Sequence, residues 1–250
     1  MAAIAAASRT PALNLPPPYS LVTLRESGDA FAHACRIAAE GGAGTMVWVR
    51  RFDLIEFAVV LEPEEPLRSA RRAFYCGMNA LADGIVAHCP PEREVTFAWP
   101  DTLLFNGARI GGGRLGWPKK LPEDAVPGWL VFSAMITAAW VGTGDPGLTP
   151  TATSLEEEGF ETADGPALVE TFARYLMLSF DTWAERGFDP VAERYLARLV
   201  IRKAGERRSL DSNGDLLVHH DLRPEAERLA LLPALKRPAW FDPATGMPKA

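Results

Sequence analysis

The chain has 250 residues, 48% of them hydrophobic, and a net charge of −6 from 26 Lys and Arg against 32 Asp and Glu. That length and apolar content suffice for one sizeable domain plus an appendage, and the acidic balance argues against a non-specific nucleic-acid binder. Three cysteines, Cys35, Cys76 and Cys89, without C-x-x-C spacing, point away from disulfides and zinc. No stretch reaches transmembrane length without a charge or proline break, so no membrane span is expected and the cytoplasm is the expected location.

Residues 1–18 are alanine-rich and then proline-rich; they read as a flexible tail rather than a signal peptide, because a basic start and a long apolar stretch are both missing. Ser27-Gly28-Asp29-Ala30 opens a helix with apolar Phe31, Ala34 and Ile37. Gly41-Gly42-Ala43-Gly44 follows it and leads into Thr45. Residues 45–50 and 54–61 read as two strands joined at Arg51-Phe52-Asp53, since β-branched and aromatic residues dominate them. Pro63-Glu64-Glu65-Pro66 ends the second strand and starts a helix with Leu67, Ala70, Phe74, Met78, Leu81 and Ile85 at helical spacing. Cys89-Pro90-Pro91 stops it.

Residues 95–117 read as a strand, a Trp99-Pro100-Asp101 corner, a second strand, a tight turn at Asn106-Gly107, and a third strand with Gly111-Gly112-Gly113. Asn-Gly between two apolar runs signals a hairpin, because both turn positions need positive φ. Three glycines weaken a strand, so something must come close to it there. A long strand over 128–140 follows, then a mostly irregular stretch over 143–164. A second long helix carries Leu168, Phe172, Tyr175, Ser179 and Trp183 on one face. Residues 201–250 differ in composition: Asn213-Gly214 marks another hairpin, residues 222–232 read as a helix, and the end carries Trp240-Phe241-Asp242-Pro243. Strands clustered as hairpins between helices suit an α+β fold, a mixed or antiparallel sheet with helices packed on one face. The expected organisation is a tail (1–18), a main domain (19–200) and a small β/α appendage (201–250).

The order Trp-Pro, acidic residue, strand, turn, basic residue, aliphatic, Gly-Gly resembles the core of the biotin/lipoate protein ligase family. Trp99 and Pro100 match its corner. Ala98 stands where biotin ligases carry a lysine, Asp101 where they carry asparagine, and Arg109 where lipoate ligases place their lysine. Ile110, Gly111 and Gly112 match the aliphatic-small-glycine run. The helix opening at 27–30 is similar to the family's Ser-Thr-Asn element. Gly42, Gly44 and Trp48 fit its glycine loop without that loop's arginines, the nearest being Arg50 and Arg51. Residues 128–132, Thr153-Ser154-Leu155-Glu156, and the segment from Trp183 to Tyr195 resemble later landmarks, so the likeness spans roughly 20–200.

The resemblance implies a class II synthetase-like catalytic domain. It implies ATP, with Mg, activating a small carboxylic acid such as biotin or lipoate to an acyl-adenylate, which is then transferred to a lysine of a biotinyl or lipoyl carrier domain. It makes Arg109 and Asp101 the candidate catalytic pair. Gly42, Gly44, Thr45, Trp48, Arg50, Arg51, Trp99, Gly111, Gly112, Gly113 and Arg114 become candidates for binding acid or ATP. Arg109 can hold a carboxylate or phosphate with its planar fork but cannot act as a base. The residues also allow plainer readings: Trp48 and Trp99 as core, Asp101 as a turn residue, Arg114 as a surface side chain. Lys119 and Lys120 either supply the missing ammonium or form a solvated pair. His219 and His220 are adjacent on a strand and face opposite ways, so no metal is expected there. Loss of both family lysines leaves a second reading open, a ligase-fold module that binds an acyl ligand or a carrier protein. Carrier-to-carrier acyl transfer is disfavoured, because no cysteine precedes Thr153.

Overall fold

The computed structural model describes residues 13–140, 151–161, 164–200, 205–221 and 225–249. Seven strands form its main sheet: β1 (Ser20–Leu24), β2 (Thr45–Val49), β3 (Leu54–Leu61), β4 (Val95–Ala98), β5 (Thr102–Phe105), β6 (Ala108–Gly116) and β7 (Leu130–Thr137). Their order is β1-β2-β3-β7-β6-β5-β4. β1 runs parallel to β2, and every other neighbouring pair is antiparallel. The mixed sheet matches the class expected from the hairpin pattern. Asn106 and Gly107 take φ of 48° and 84°, the left-handed pair that a two-residue hairpin needs.

Side chains alternate across a strand, and here both sides are covered. One face carries Ile55, Phe57 and Val59 of β3 and Leu130, Phe132 and Ala134 of β7. Helix α3 (Ala73–Val86) and helix α4 (Asp164–Arg186) pack on it. Phe172 of α4 lies 4.5 Å from Phe57 and 5.7 Å from Phe132, centroid to centroid. Burying each such ring contributes about 1.5–3 kcal/mol. Helix α3 is sandwiched between the sheet, α4 and α5 (Asp189–Ala197), so its residues 73–85 are all buried.

The opposite face is not bare, which differs from helices on one side only. Helix α1 (Ala30–Gly41) covers Val47, Val49, Ala58, Val60 and Val131 with the small side chains of Ala30, Ala34 and Ala38. Asp29 caps it by accepting from the Ala32 N–H, as the sequence around Ser27 suggests. The helix expected from Pro66 is also divided. A one-turn α2 (Leu67–Ala70) precedes α3, separated from it by a tighter turn in which the Arg72, Phe74 and Tyr75 N–H groups donate to the carbonyls three residues back, of Ser69, Arg71 and Arg72. Residues 13–18, assigned to a tail from sequence, run along α4: the Asn14 N–H donates to Glu170, and the Tyr19 hydroxyl to the Ala173 carbonyl.

The C-terminal part holds β8 (Glu206–Leu210), β9 (Leu216–His220) and β10 (Glu227–Leu229) in one small antiparallel sheet. The Asn213-Gly214 hairpin joins β8 to β9 as expected. Within the described part of the helix expected over 222–232, residues 227–229 instead pair with β9 as a strand, and helix begins only at Leu231. Among the described residues of this part only the short α6 (Leu231–Leu235) is helical, and the two-residue strands β11 (Phe241–Asp242) and β12 (Met247–Pro248) form a final hairpin. This part packs back on the main sheet at two places. Just before it, Phe97 of the edge strand β4 exchanges backbone hydrogen bonds with Arg198 and Val200. At its end, β12 lies against β6 and β7.

Candidate functional site

Asp101, Arg109, Gly112 and Arg114 converge on the part of the α1-bearing face that α1 leaves open. The Trp99-Pro100 peptide is cis; the chain turns there and delivers Asp101 into the interior, 1% exposed. One Asp101 oxygen accepts from the Thr102 hydroxyl and the other from the Ala239 N–H. Burial pushes its carboxyl up to about 6, against the pull of these donors and of Lys249.

The three glycines do mark a close approach, and protein atoms make it. A Cβ on Gly111, whose φ is +149°, would lie 2.0 Å from the Met135 carbonyl oxygen. A Cβ on Gly112 would lie 2.1 Å from the Asp101 carbonyl oxygen and 2.4 Å from the Trp240 ring. Gly113 makes room for Met78 and Phe132 on the other face. Trp240 is fully buried with Leu54 and Met135 and donates its indole N–H to the Gly113 carbonyl at 3.1 Å.

The C-terminal hairpin thus sits where several site candidates meet. Arg109 Nε donates to the Lys249 carbonyl at 3.1 Å. Arg109 also ties β6 to the Thr153 segment through backbone bonds with Thr151 and Thr153. Arg51 grips Asp53 with two hydrogen bonds and reaches Met247 Sδ at 3.6 Å. Arg114 lies between two rings, Phe31 of α1 at 4.5 Å and Phe241 of the hairpin at 4.3 Å. A guanidinium stacked on two aromatic faces keeps its N–H edge for a further partner. Its Nε is buried and has no hydrogen-bond partner, and burial lowers its pKa although Asp29 and Glu56 pull the other way. Glu56 is itself 2% exposed and accepts from the Ala30 N–H at 2.7 Å, at the positive end of α1. Burial raises its pKa. Cys35 stands nearby, its thiol pushed up to about 11 by burial, which makes it a poor nucleophile.

Arg114 opens onto a cleft of about 910 Å³ bounded by Phe31, Trp117, Leu121, Leu235 and Phe241. That volume suits a small-molecule ligand. Among the described residues no group of three His, Cys, Asp or Glu side chains is placed to hold a metal ion. Asp101 does not fit magnesium, since it is enclosed and both of its oxygens are engaged.

Other sequence candidates lie apart. Trp48 faces the α3–α4 side, opposite Phe57 on β3, because β2 alternates and Val47 and Val49 take the α1 side. Trp99 also packs against that core and donates to the Tyr75 hydroxyl at 3.4 Å. Neither walls the Arg114 cleft. Gly42, Gly44 and Thr45 form the α1–β2 turn, where the Gly44 N–H donates to Val60 and the Thr45 hydroxyl to Gly41. Gly44 borders a separate cleft of about 490 Å³ beside α4. The Arg50 N–H pairs with Leu24 at the sheet end. Sequence reasoning missed Glu56, Phe31, Trp240 and Phe241 as site residues; the Trp240-Phe241-Asp242-Pro243 run was the available signal.

Comparison with known proteins gives a consistent result. A family model described as the biotin/lipoate A/B protein ligase family matches residues 15–197. A biotin–[acetyl-CoA-carboxylase] ligase from Paracoccus denitrificans is 25% identical over 208 residues, spanning 77% of this chain and 85% of its own. Among solved structures, a biotin protein ligase-like protein of unknown function from Silicibacter sp. TM1040 superposes with a TM-score of 0.75 at 25% identity, over 88% of this chain and 97% of that one. The biotin protein ligase of Aquifex aeolicus superposes with a TM-score of 0.62 at 13% identity, over 84% and 95%. Its fold is therefore shared with this chain, and that enzyme has also been seen with biotin and ATP.

Proposed function

Since the chain belongs to the biotin/lipoate A/B protein ligase family, we propose that it is an ATP-dependent ligase that activates a small carboxylic acid and passes the acyl group to a carrier-domain lysine. The observation that supports this reading is Arg114, a guanidinium held between Phe31 and Phe241 that lines a ligand-sized cleft. Such a group takes a carboxylate in a charge-assisted bond, stronger than a neutral one. ATP, when bound, would supply the adenylyl group of the acyl-adenylate, with pyrophosphate as the leaving group. The chain's own part is to bind the acid, orient it and keep water away. The apolar walls of the cleft lower the local dielectric and strengthen the arginine's hold on a developing negative charge. Magnesium has no protein ligand set in the described site, and no step is assigned to it.

The reading is tested by ATP/pyrophosphate exchange in the presence of biotin, lipoate or octanoate. Exchange that depends on one acid is expected, and Arg114→Ala should reduce it by about 100-fold or more, the effect of losing one anion-stabilising donor. Full exchange in that variant would remove Arg114 from the site.

One observation favours a second reading, a ligase-fold module that binds without ATP chemistry. The C-terminal hairpin engages Asp101 and Arg109, the positions where catalysis was expected. That module would show thermal stabilisation by an acid, unchanged by ATP. At ligand about 100-fold above Kd the gain is about 2.7 kcal/mol.

A further inference from the structure

The cleft of about 490 Å³ beside α4 takes no part in the reading above and shares no lining residue with the Arg114 cleft. It lies on the α3–α4 side of the sheet, where β3 ends and the chain turns toward α2. Protein interiors are close-packed, and here Ala70 and Ala73 present only methyl groups to the space between the α2–α3 junction and α4. Leu130 and Leu176 are buried in its floor, while Phe180 and Trp183 of α4 line it half-buried, their ring planes 15° apart. Tyr19 lines it as well. The volume falls within the range of small-molecule sites.

The rim of this apolar hollow carries charge of one sign. Among the described residues its charged lining consists of Glu62, Glu64 and Glu65 of the β3–α2 connection and Asp181 of α4, with no basic side chain. Glu65 is paired, with Arg72 at 2.7 Å. Glu62, Glu64 and Asp181 are exposed and have no ion-pair partner among the described residues. Helix capping does not account for Glu64 and Glu65. Pro66 stands at the start of α2, no side chain caps it, and its Leu67 and Arg68 N–H groups donate to the Ala125 and Glu123 carbonyls. Pro63 and Pro66 fix the backbone on either side, so the two carboxylates are presented from a stiff connection. The aromatic lining tolerates positive charge, since the Arg72 guanidinium lies 5.2 Å from the Trp183 ring centroid.

We propose that this cleft binds an organic cation, an amine with an apolar, ring-bearing body. An apolar body displaces water from the leucine floor and the ring faces. Its ammonium end meets unpaired carboxylates at the rim, and the same rim repels an anion of the same shape. The proposal goes beyond the ligase reading and does not rest on it, because Arg114 and its neighbours lie outside this cleft.

The experiment is isothermal titration of the full chain with two amines, tryptamine and 4-phenylbutylamine, and with two relatives of tryptamine, neutral N-acetyltryptamine and anionic indole-3-propionate. The wild type is compared with the Glu64→Gln/Asp181→Asn double variant. Both substituted side chains are exposed and unpaired, so the variant should fold, and its thermal midpoint checks that it does. At least one amine is expected to bind, with tryptamine or 4-phenylbutylamine at least about 10-fold tighter than indole-3-propionate. Its affinity should fall as salt rises and drop about 5-fold in the variant, as expected for losing two exposed charge contacts. No binding of either amine at about 1 mM, equal binding of cation, neutral relative and anion, or equal amine binding by wild type and variant would each overturn the site. Sedimentation at the same protein concentration tests the other occupant. A dimer that binds no amine would mean that a second copy of the chain covers the cleft, and would overturn the proposal too. ATP/pyrophosphate exchange is measured apart from these titrations, so the ligase reading and this one fail separately.

Discussion

Trp240→Ala is expected to lower folding stability by about 3–5 kcal/mol, the range for truncating a buried tryptophan. The ring is fully buried against Leu54 and Met135, and the sheet beneath it carries glycine at 112. Removing it leaves a cavity that rigid β-sheet backbone cannot collapse to fill, and strips the Gly113 carbonyl of the indole donor. Trp240→Phe should cost clearly less, because it keeps most of the volume and loses only the hydrogen bond, worth about 1 kcal/mol. Gly112→Ala tests the same contact from below, since its Cβ would strike Trp240 and the Asp101 carbonyl. Urea unfolding of the three variants checks this. A Trp240→Ala protein within about 1 kcal/mol of wild type would mean the hairpin contributes little to the fold.

The second large effect depends on pH. Asp101 has its carboxyl raised from 3.8 to about 6 by burial. A carboxyl whose folded pKa lies above its unfolded value favours the protonated fold. That stabilisation is fully present below about pH 4 and is lost as pH rises through about 6. A rise of this size is worth about 3 kcal/mol. Asp101→Asn cannot titrate, and its amide oxygen can still accept from the Ala239 N–H while its amide NH2 donates to the Thr102 hydroxyl oxygen. The variant should therefore gain on the wild type by up to about 3 kcal/mol between pH 4 and pH 8. Taking the difference between the two proteins cancels every other titrating group. A constant gap across that range would show that Asp101 titrates near its ordinary value.

Local chemistry made much of this fold legible. Asn106-Gly107 declared its hairpin, the Ser27–Ala30 segment its helix start, and the β-branched runs at 45–50 and 54–61 their strands, the first ending one residue earlier. The glycine run also announced a close approach, but the partner, Trp240, lies far along the chain, and no local pattern reports a contact of that range. The side of the sheet that carries the site was hidden for a different reason. β2 and β3 are buried on both faces, so they read as continuous apolar runs and gave no sign that Trp48 faces away from Arg114. The division between α2 and α3 was missed because it is a local tightening at Arg71-Arg72, where the backbone bonds run three residues back, while the apolar spacing continues across it. Leucines and alanines over 222–232 suggested a helix, whereas pairing with β9 makes residues 227–229 a strand.

The C-terminal part is tied to the sheet at both of its ends, through residues 198–200 along β4 and through the hairpin over β6 and β7. The described residues of this excursion also rest on the main domain between those ties, through the Tyr75 hydroxyl on the Gly214 carbonyl and through Leu216, Val218, Leu231 and Leu235 in the main core. A single proteolytic cut within that excursion would leave both new fragments fastened, the shorter one by Trp240 and the Asp101, Arg109 and Arg114 contacts. A nicked sample would then run as one species on a sizing column and as two under denaturing conditions, and its hairpin would stay in place after the covalent route to it had been severed.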